Sequence, residues 1–205
     1  MKVLDLCAGL GGFTEAFARS EEWEVMRIDN NPLLEEVEHM HIICIKSFRD
    51  ELYSMIERGY RPQSPDLITF SPPCGDFSLG FNAPQAVASR EGRFGSYEPD
   101  LSILEAGIEI IEMLKPRFSI IENVRGARRH FEPLLGEPKI VKDCYVFWGN
   151  FPFFDWQEKK DKTNLSNAKL GYHRDFRPQL RSLIPLEISG NLKKAIESQT
   201  TLFQF

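Results

Sequence analysis

Three short stretches of the chain carry residue types that can do chemistry. The first is Ser71-Pro72-Pro73-Cys74-Gly75-Asp76-Phe77-Ser78, directly after the apolar run Asp66-Leu67-Ile68-Thr69-Phe70. Two prolines stiffen the exit of that strand and present the Cys74 thiol at its C-terminal end, where open α/β sheets bind ligands. A thiol so placed can act as a nucleophile; taken alone, it also fits a small buried hydrophobe. The second stretch is Phe118-Ser119-Ile120-Ile121-Glu122-Asn123-Val124, a strand that ends in a carboxylate able to hydrogen-bond or move a proton. The third is Cys7-Ala8-Gly9-Leu10-Gly11-Gly12-Phe13, between the strand Lys2-Val3-Leu4-Asp5-Leu6 and a helix start at Thr14. Strand, glycine turn and helix bring a ligand against backbone N–H groups. The spacing is not the Gly-x-Gly-x-x-Gly of dinucleotide binders, and a tight βα turn alone would also use such glycines.

These segments must be positioned by an alternating fold. The 205 residues suffice for one domain with a sizeable core. Hydrophobic residues make up 42% and charged residues 27%, an ordinary globular balance without a membrane-spanning run. The acidic start after Met1 is no signal peptide, so an intracellular, cytoplasmic setting is expected. Cys7, Cys44, Cys74 and Cys144 are widely spaced with no Cys-x-x-Cys pair, which argues against zinc and suits free thiols in a reducing compartment. His39 and His41 read as incidental, and no metal is expected. The formal charge of −5 means that a nucleic-acid partner must meet a local basic face.

Strands are expected at 3–6, 25–28, 42–45, 67–70 and 118–121, neighbours in one sheet, with their C-terminal ends at one edge. Asp29 closes the second strand; it can hold the two hydroxyls of a ribose, or cap a helix starting at Pro32. Helices are expected at 48–57 and 101–114, and an amphipathic one at 184–196 behind Pro185. Residues 79–98 read as a long loop with Arg90 and Arg93. Arg125, Arg128, Arg129 and His130 follow Glu122, a charge run that a solvated helix face would also carry. Residues 139–147 and 151–154 are expected to supply one or two further strands, around a turn at Trp148-Gly149-Asn150. Alternating strands and helices imply an α/β fold, a parallel sheet covered on both faces.

Asp5-Leu6-Cys7-Ala8-Gly9-Leu10-Gly11-Gly12-Phe13, Ser71-Pro72-Pro73-Cys74 with Phe77-Ser78, and Glu122-Asn123-Val124 together resemble the DNA (cytosine-5) methyltransferase family in order and spacing. The resemblance spans residues 1–154, with a weaker match at Arg181-Ser182-Leu183-Ile184-Pro185. It implies a class I, Rossmann-like methyltransferase fold in one catalytic domain over 1–205, with a closing helix at 181–198. It also implies S-adenosylmethionine (SAM) as methyl donor, with S-adenosylhomocysteine (SAH) as product. Carried over by position, Gly9, Leu10, Gly11 and Gly12 would line the methionine end. Asp29 would hold the ribose, Asn30 would lie near the adenine, and Pro73 would touch the cofactor. Ser182 and Ile184 would close the pocket. Cys74 would be the nucleophile, Glu122 would grip the base, and Ser78 would contact DNA. C5 of cytosine is a poor nucleophile until a thiolate adds at C6, and a carboxyl at N3 stabilises the charge that develops. A base inside a duplex must be flipped out to reach such groups, and the 79–98 segment would be the lid.

This chain departs from the family pattern at four places. Cys7 stands where the family has an aromatic residue against the adenine. Cys44, followed by Ile45, stands where it has an acid on the adenine amino group. The Gln-x-Arg-x-Arg segment has no copy after Val124, which leaves Arg125 or Arg128 as substitutes. Only residues 155–179 occupy the place of a large target-recognition region. Local cations would then bind DNA: Arg90, Arg93, Arg125, Arg128 and Arg129, with Lys159, Lys160 and Lys162. The pattern implies a compact, phage-type enzyme with a short target motif, or one whose recognition comes from a homodimer or a second protein. Two other readings are cytosine-C5 methylation of transfer-RNA type and a non-catalytic SAM- or DNA-binding subunit.

Overall fold

A computed structural model describes residues 1–80, 82–93, 95, 97–157 and 177–201. Its strands are β1 (Lys2–Leu6), β2 (Glu24–Asp29), β3 (Met40–Ile42), β4 (Leu67–Phe70), β5 (Phe118–Val124), β6 (Ile140–Lys142) and β7 (Tyr145–Trp148). They form one sheet in the order β3-β2-β1-β4-β5-β7-β6. The first five pair in parallel, with Leu6 opposite both Ile28 and Phe70, and Phe70 opposite Ile121. β7 runs antiparallel to β5 and to β6. The strand order reverses between β1 and β4, and ligands of open α/β sheets bind at such a switch point, outside the carboxyl ends. The glycine turn leaves β1 there and the Pro-Pro-Cys loop leaves β4 beside it.

The helices are α1 (Glu15–Ala18), α2 (Ile45–Glu57), α3 (Pro84–Arg90), α4 (Ser102–Leu114), α5 (Arg128–Leu135), α6 (Arg177–Ser182) and α7 (Leu186–Thr201). One apolar cluster joins α1 and α7 to the sheet through Val3, Phe17, Ile120, Ile188, Leu192 and Ile196. The other joins α2, α4 and α5 to the opposite face through Leu4, Leu52, Ile68, Leu104, Ile110 and Phe131. Both faces of the sheet are therefore covered, as expected of a mostly parallel sheet. On α7, Ile188, Leu192 and Ile196 recur every four residues and are all fully buried, a stripe in which each side chain contributes about 1.5–3 kcal/mol.

Several boundaries differ from expectation. β3 covers Met40–Ile42, because Cys44 already adopts the extended N-cap geometry of α2 and Ile45 is that helix's first residue. α1 is a single turn preceded by a 3-10 turn, Gly12–Thr14. The loop expected over 79–98 contains α3, opened by Pro84 at its first turn. The expected turn at Trp148-Gly149-Asn150 is not a hairpin: the chain reverses earlier, where Asp143 takes φ +54°, and residues 151–154 form no strand. α4 begins at Ser102, one residue later than expected, with the Asp100 carboxylate accepting the Ser102 N–H at 2.8 Å. Among the described residues no helix is long and apolar enough to cross a membrane.

Candidate active site

The glycine turn is held from behind by a buried polar network. Arg27 on β2 is fully buried. Its guanidinium donates to the Gly11 carbonyl at 3.1 Å, the Glu38 carbonyl at 2.9 Å and the Thr14 hydroxyl at 3.0 Å. The hydroxyls of Thr14 and Thr69 donate to the two oxygens of Asp5, at 2.8 and 2.7 Å. Burial pushes the Asp5 carboxyl up to about 6, against the pull of Thr69, Thr14 and Arg27. Gly11 has φ +76°, and a Cβ there would lie 2.5 Å from the Arg27 Cζ. Sequence reasoning placed Gly11 among the cofactor-lining glycines. The structure instead turns it toward Arg27, behind the cleft wall, while Gly9, Leu10 and Gly12 line the cleft. A Cβ on Gly12 would meet the Ile184 carbonyl at 2.6 Å, so the absent side chain lets the segment after α6 close on the turn.

Asp29 ends β2 facing the same cleft. Its carboxylate accepts the Gly9 N–H at 2.9 Å and the Asn31 N–H at 3.0 Å, which ties the glycine turn to β2. It caps no helix. That task falls to Asn31, whose side chain accepts the Leu33 N–H at 3.1 Å at the start of a 3-10 turn, Pro32–Leu34.

The second half of the site comes from β4 and β5. Cys74 is half-buried, and burial raises its thiol pKa, with the charge of Glu122 the next cause and Cys144 a further one. Glu122 is 9% exposed and lies on β5 opposite Phe147 of β7. Neighbouring Asn123 donates from Nδ2 to the Pro72 carbonyl at 2.9 Å and so pins the Pro-Pro-Cys loop to β5. Gln85 of α3 is buried; its amide donates to the Phe77 and Gly126 carbonyls, and its oxygen lies 3.0 Å from His130 Nε2. α3 is thus tied both to the loop that carries Cys74 and to the turn after Glu122.

Both halves open into one cavity of about 550 Å³, within the range of small-molecule sites. It brings together Cys7, Gly9, Leu10, Gly12, Asp29, Asn30, Cys44, Ile45, Pro73, Cys74, Glu122, Ser182 and Ile184 from the sequence reading. Ser71, Ile103, Gln179 and Leu183 also line it and were not anticipated. Ile103 sits on α4 and Gln179 on α6, and no local motif marks either. The charged side chains of the lining are Asp5, Asp29 and Glu122, all acidic, with no Lys, Arg or His among the described lining residues.

The arginines proposed for DNA lie outside this cavity. Arg125 donates to the Asp143 carbonyl, and Arg128 pairs with Glu132 at 2.6 Å, so neither takes the place of the family's arginines beside Glu122. Arg129 donates to the Gly95 carbonyl, and Arg93 pairs with Glu91. Arg90 is exposed at the end of α3, and the Ser78 hydroxyl accepts the Gly80 N–H at 3.1 Å. Lys159, Lys160 and Lys162, with most of 155–179, lie outside the described residues.

Residues 1–135 match the family described as C-5 cytosine-specific DNA methylase. The chain belongs to this family. A curated relative, the type II methyltransferase M.HgiGI of Herpetosiphon aurantiacus, is 30% identical over 133 residues, which cover 62% of this chain and 94% of the relative. Among solved structures, Entamoeba histolytica methyltransferase EhMeth aligns at TM-score 0.47 and 13% identity, over 78% of this chain and 55% of its own. A protein described as a DNA modification methyltransferase encoded within an E. coli prophage aligns at 0.42 and 18%, over 73% and 46%. The chain spans about half the length of these two proteins.

C-5 cytosine DNA methylases use SAM, and the cleft suits it. A sulfonium and an ammonium are favoured beside Asp5, Asp29 and Glu122, whereas a pyrophosphate would face like charges. The cleft also holds two buried oxygens without a hydrogen-bond partner, Ser71 Oγ and Gln179 Oε1. Buried polar atoms are rarely left so, and a polar ligand supplies what they lack.

Proposed function

We propose that the chain methylates C5 of cytosine in DNA, with Cys74 as nucleophile and Glu122 as the group that holds N3. The observation that supports this reading is the meeting of Cys74 and Glu122, from the ends of neighbouring strands, in one cleft with the glycine turn. SAM would be held by the turn at Gly9, Leu10 and Gly12, by Asp29 and by Ser182 and Ile184. When bound, it supplies an electrophilic methyl group on a sulfonium.

The chain's own residues prepare the cytosine. Burial and the charge of Glu122 raise the Cys74 thiol pKa, so the thiol enters the reaction with its proton. As Sγ forms its bond to C6, that thiol proton passes by way of the Glu122 carboxylate to N3. The base becomes a neutral enamine, nucleophilic at C5, and Glu122 returns to its starting charge. After C5 is methylated, its proton leaves to water. The C5–C6 double bond re-forms, the S–C6 bond breaks, and the N3 proton passes back by way of Glu122 to the departing sulfur, so that 5-methylcytosine leaves neutral and Cys74 regains its thiol. Burial serves this sequence twice. It limits the adduct's exposure to bulk solvent and strengthens the hydrogen bond at N3.

The described body acts as one catalytic domain, and α3 with the residues after it forms the lid over a flipped base. Ser78, Arg90, Arg93, Arg125, Arg128 and Arg129 would meet phosphates, contacts that fix position and read no sequence. Base reading then falls to residues 155–179, to a second copy of the chain or to another protein, and the target motif is short. Nucleoside analysis of DNA and RNA incubated with the chain and labelled SAM tests the reading. It predicts 5-methylcytosine in DNA. Label in RNA alone would assign the transfer-RNA type of reaction, and label in neither would contradict an autonomous methyltransferase.

A further inference from the structure

Gln179 is a residue that neither the family resemblance nor the proposed chemistry uses. It lies on α6 and lines the cleft, and its side-chain oxygen is buried without a hydrogen-bond partner. A buried amide oxygen left this way loses the bonds it would make to water and gains nothing in return. A ligand with an N–H or O–H donor would supply the missing partner.

The position of α6 narrows the choice of donor. Leu183 packs with Leu10, Leu34 and Val37, and Leu180 packs against the same cluster. The Ile184 backbone sits against Gly12. Gln179, adjacent to Leu180 and one helical turn before Leu183, therefore belongs to the wall that covers the glycine turn rather than to the Cys74 loop. SAM offers three kinds of donor: the ribose hydroxyls, the adenine amino group and the ammonium of its amino-acid end. The ribose hydroxyls have Asp29 at the end of β2. The amino-acid end is the part that the glycine turn receives. A cation there meets no like charge, since the charged lining is acidic throughout.

We propose that Gln179 is a cofactor-binding residue whose side-chain oxygen accepts a hydrogen bond from the ammonium group at the amino-acid end of SAM. The proposal rests on the SAM reading of the cleft. It adds to Ser182 a second residue of α6 that holds the cofactor. It also predicts an unusual pairing of effects. Removing the orphaned oxygen should leave the free protein as stable as before, or more so, because the unpaired atom is a cost until the ligand arrives.

Calorimetry on the full chain tests this with two ligands, SAH and 5′-methylthioadenosine, which shares the adenosine thioether but lacks the amino-acid end. Gln179→Leu should weaken SAH about fivefold or more and change methylthioadenosine affinity less than twofold, with the melting temperature of the free protein unchanged or raised. Gln179→Glu, which keeps an acceptor and adds a charge, should bind SAH at least as well as the parent. Equal weakening of both ligands, or unchanged SAH affinity in Gln179→Leu, overturns the proposal. A lowered melting temperature together with loss of both ligands would make Gln179 a packing residue and likewise overturn it. If the parent chain itself binds no SAH, the SAM reading fails and takes this assignment with it.

Discussion

The two halves of the cleft are built by different means. On the cofactor side, the glycine turn is fixed from behind by side chains with little or no exposure: Arg27, Thr14, Asp5 and Thr69, with Asp29 at the rim. On the reaction side, the loop after β4 hangs on contacts to its own carbonyls. Asn123 holds Pro72, Gln85 holds Phe77, and the Tyr97 hydroxyl donates to Asp76 at 3.1 Å. A turn that binds backbone to ligand needs its shape set in advance, and a buried hydrogen-bonded network provides that. On the proposed chemistry this loop admits a flipped base and closes on it, which a tightly locked loop could not do. Substitutions on the first side should therefore cost stability and cofactor affinity together. Substitutions on the second should cost chemistry while the fold stands.

The sharpest break between the halves is expected at Cys74. Cys74→Ser should lower methyl transfer by about 10³-fold or more, as loss of a nucleophile does, while SAM affinity and melting temperature stay near the parent's. Stopped transfer with lost SAM binding would place Cys74 in the cofactor half instead. Gly11→Ala should do the reverse. It forces a side chain into a left-handed backbone and against the buried Arg27, for a loss of about 2–4 kcal/mol of stability. Chemical denaturation would measure it, and an unchanged midpoint would mean that the turn is not locked from behind.

Asp29→Ala comes next, and it removes both a ribose partner and the tie to Gly9. SAM affinity should fall by about 1–3 kcal/mol in a titration, and an unchanged affinity would leave Asp29 a role in the turn alone. The smallest effect concerns the coupling of Cys74 with Glu122. The charge of Glu122 raises the thiol pKa after burial has done so; Glu122→Gln removes that charge. The pH profile of Cys74 alkylation, followed by mass spectrometry of its peptide, should then move to lower pH. A profile that stays in place, or moves up, would show that the two groups do not share a proton.

Much of this site was legible in the sequence because its parts are local. Pro72-Pro73-Cys74 after an apolar run, Glu122 at the end of another, and glycines after β1 each announce a strand end. Parallel pairing then brings those ends together. What escaped was set by distant contacts. Gly11 looked like its neighbours until Arg27, sixteen residues away, was seen to fill the space behind it. Arg125 and Arg128 looked available for the base, yet Asp143 and Glu132 hold them elsewhere. Asp29 and Asn31 offer the same capping chemistry two residues apart; Asp29 is engaged by the Gly9 N–H, and Asn31 is left to cap the turn that follows. Gln179 carries no motif at all; only burial without a partner singles it out.

The central claim is that Cys74 forms a covalent bond to the target cytosine. DNA carrying 5-fluorocytosine tests it directly, because fluorine replaces the C5 proton whose departure releases the thiol. With SAM and a preparation that methylates ordinary DNA, a protein–DNA adduct should accumulate, and mass spectrometry should map it to the peptide that contains Cys74. Turnover of ordinary DNA with no trapped adduct, or an adduct on another residue, would contradict the account.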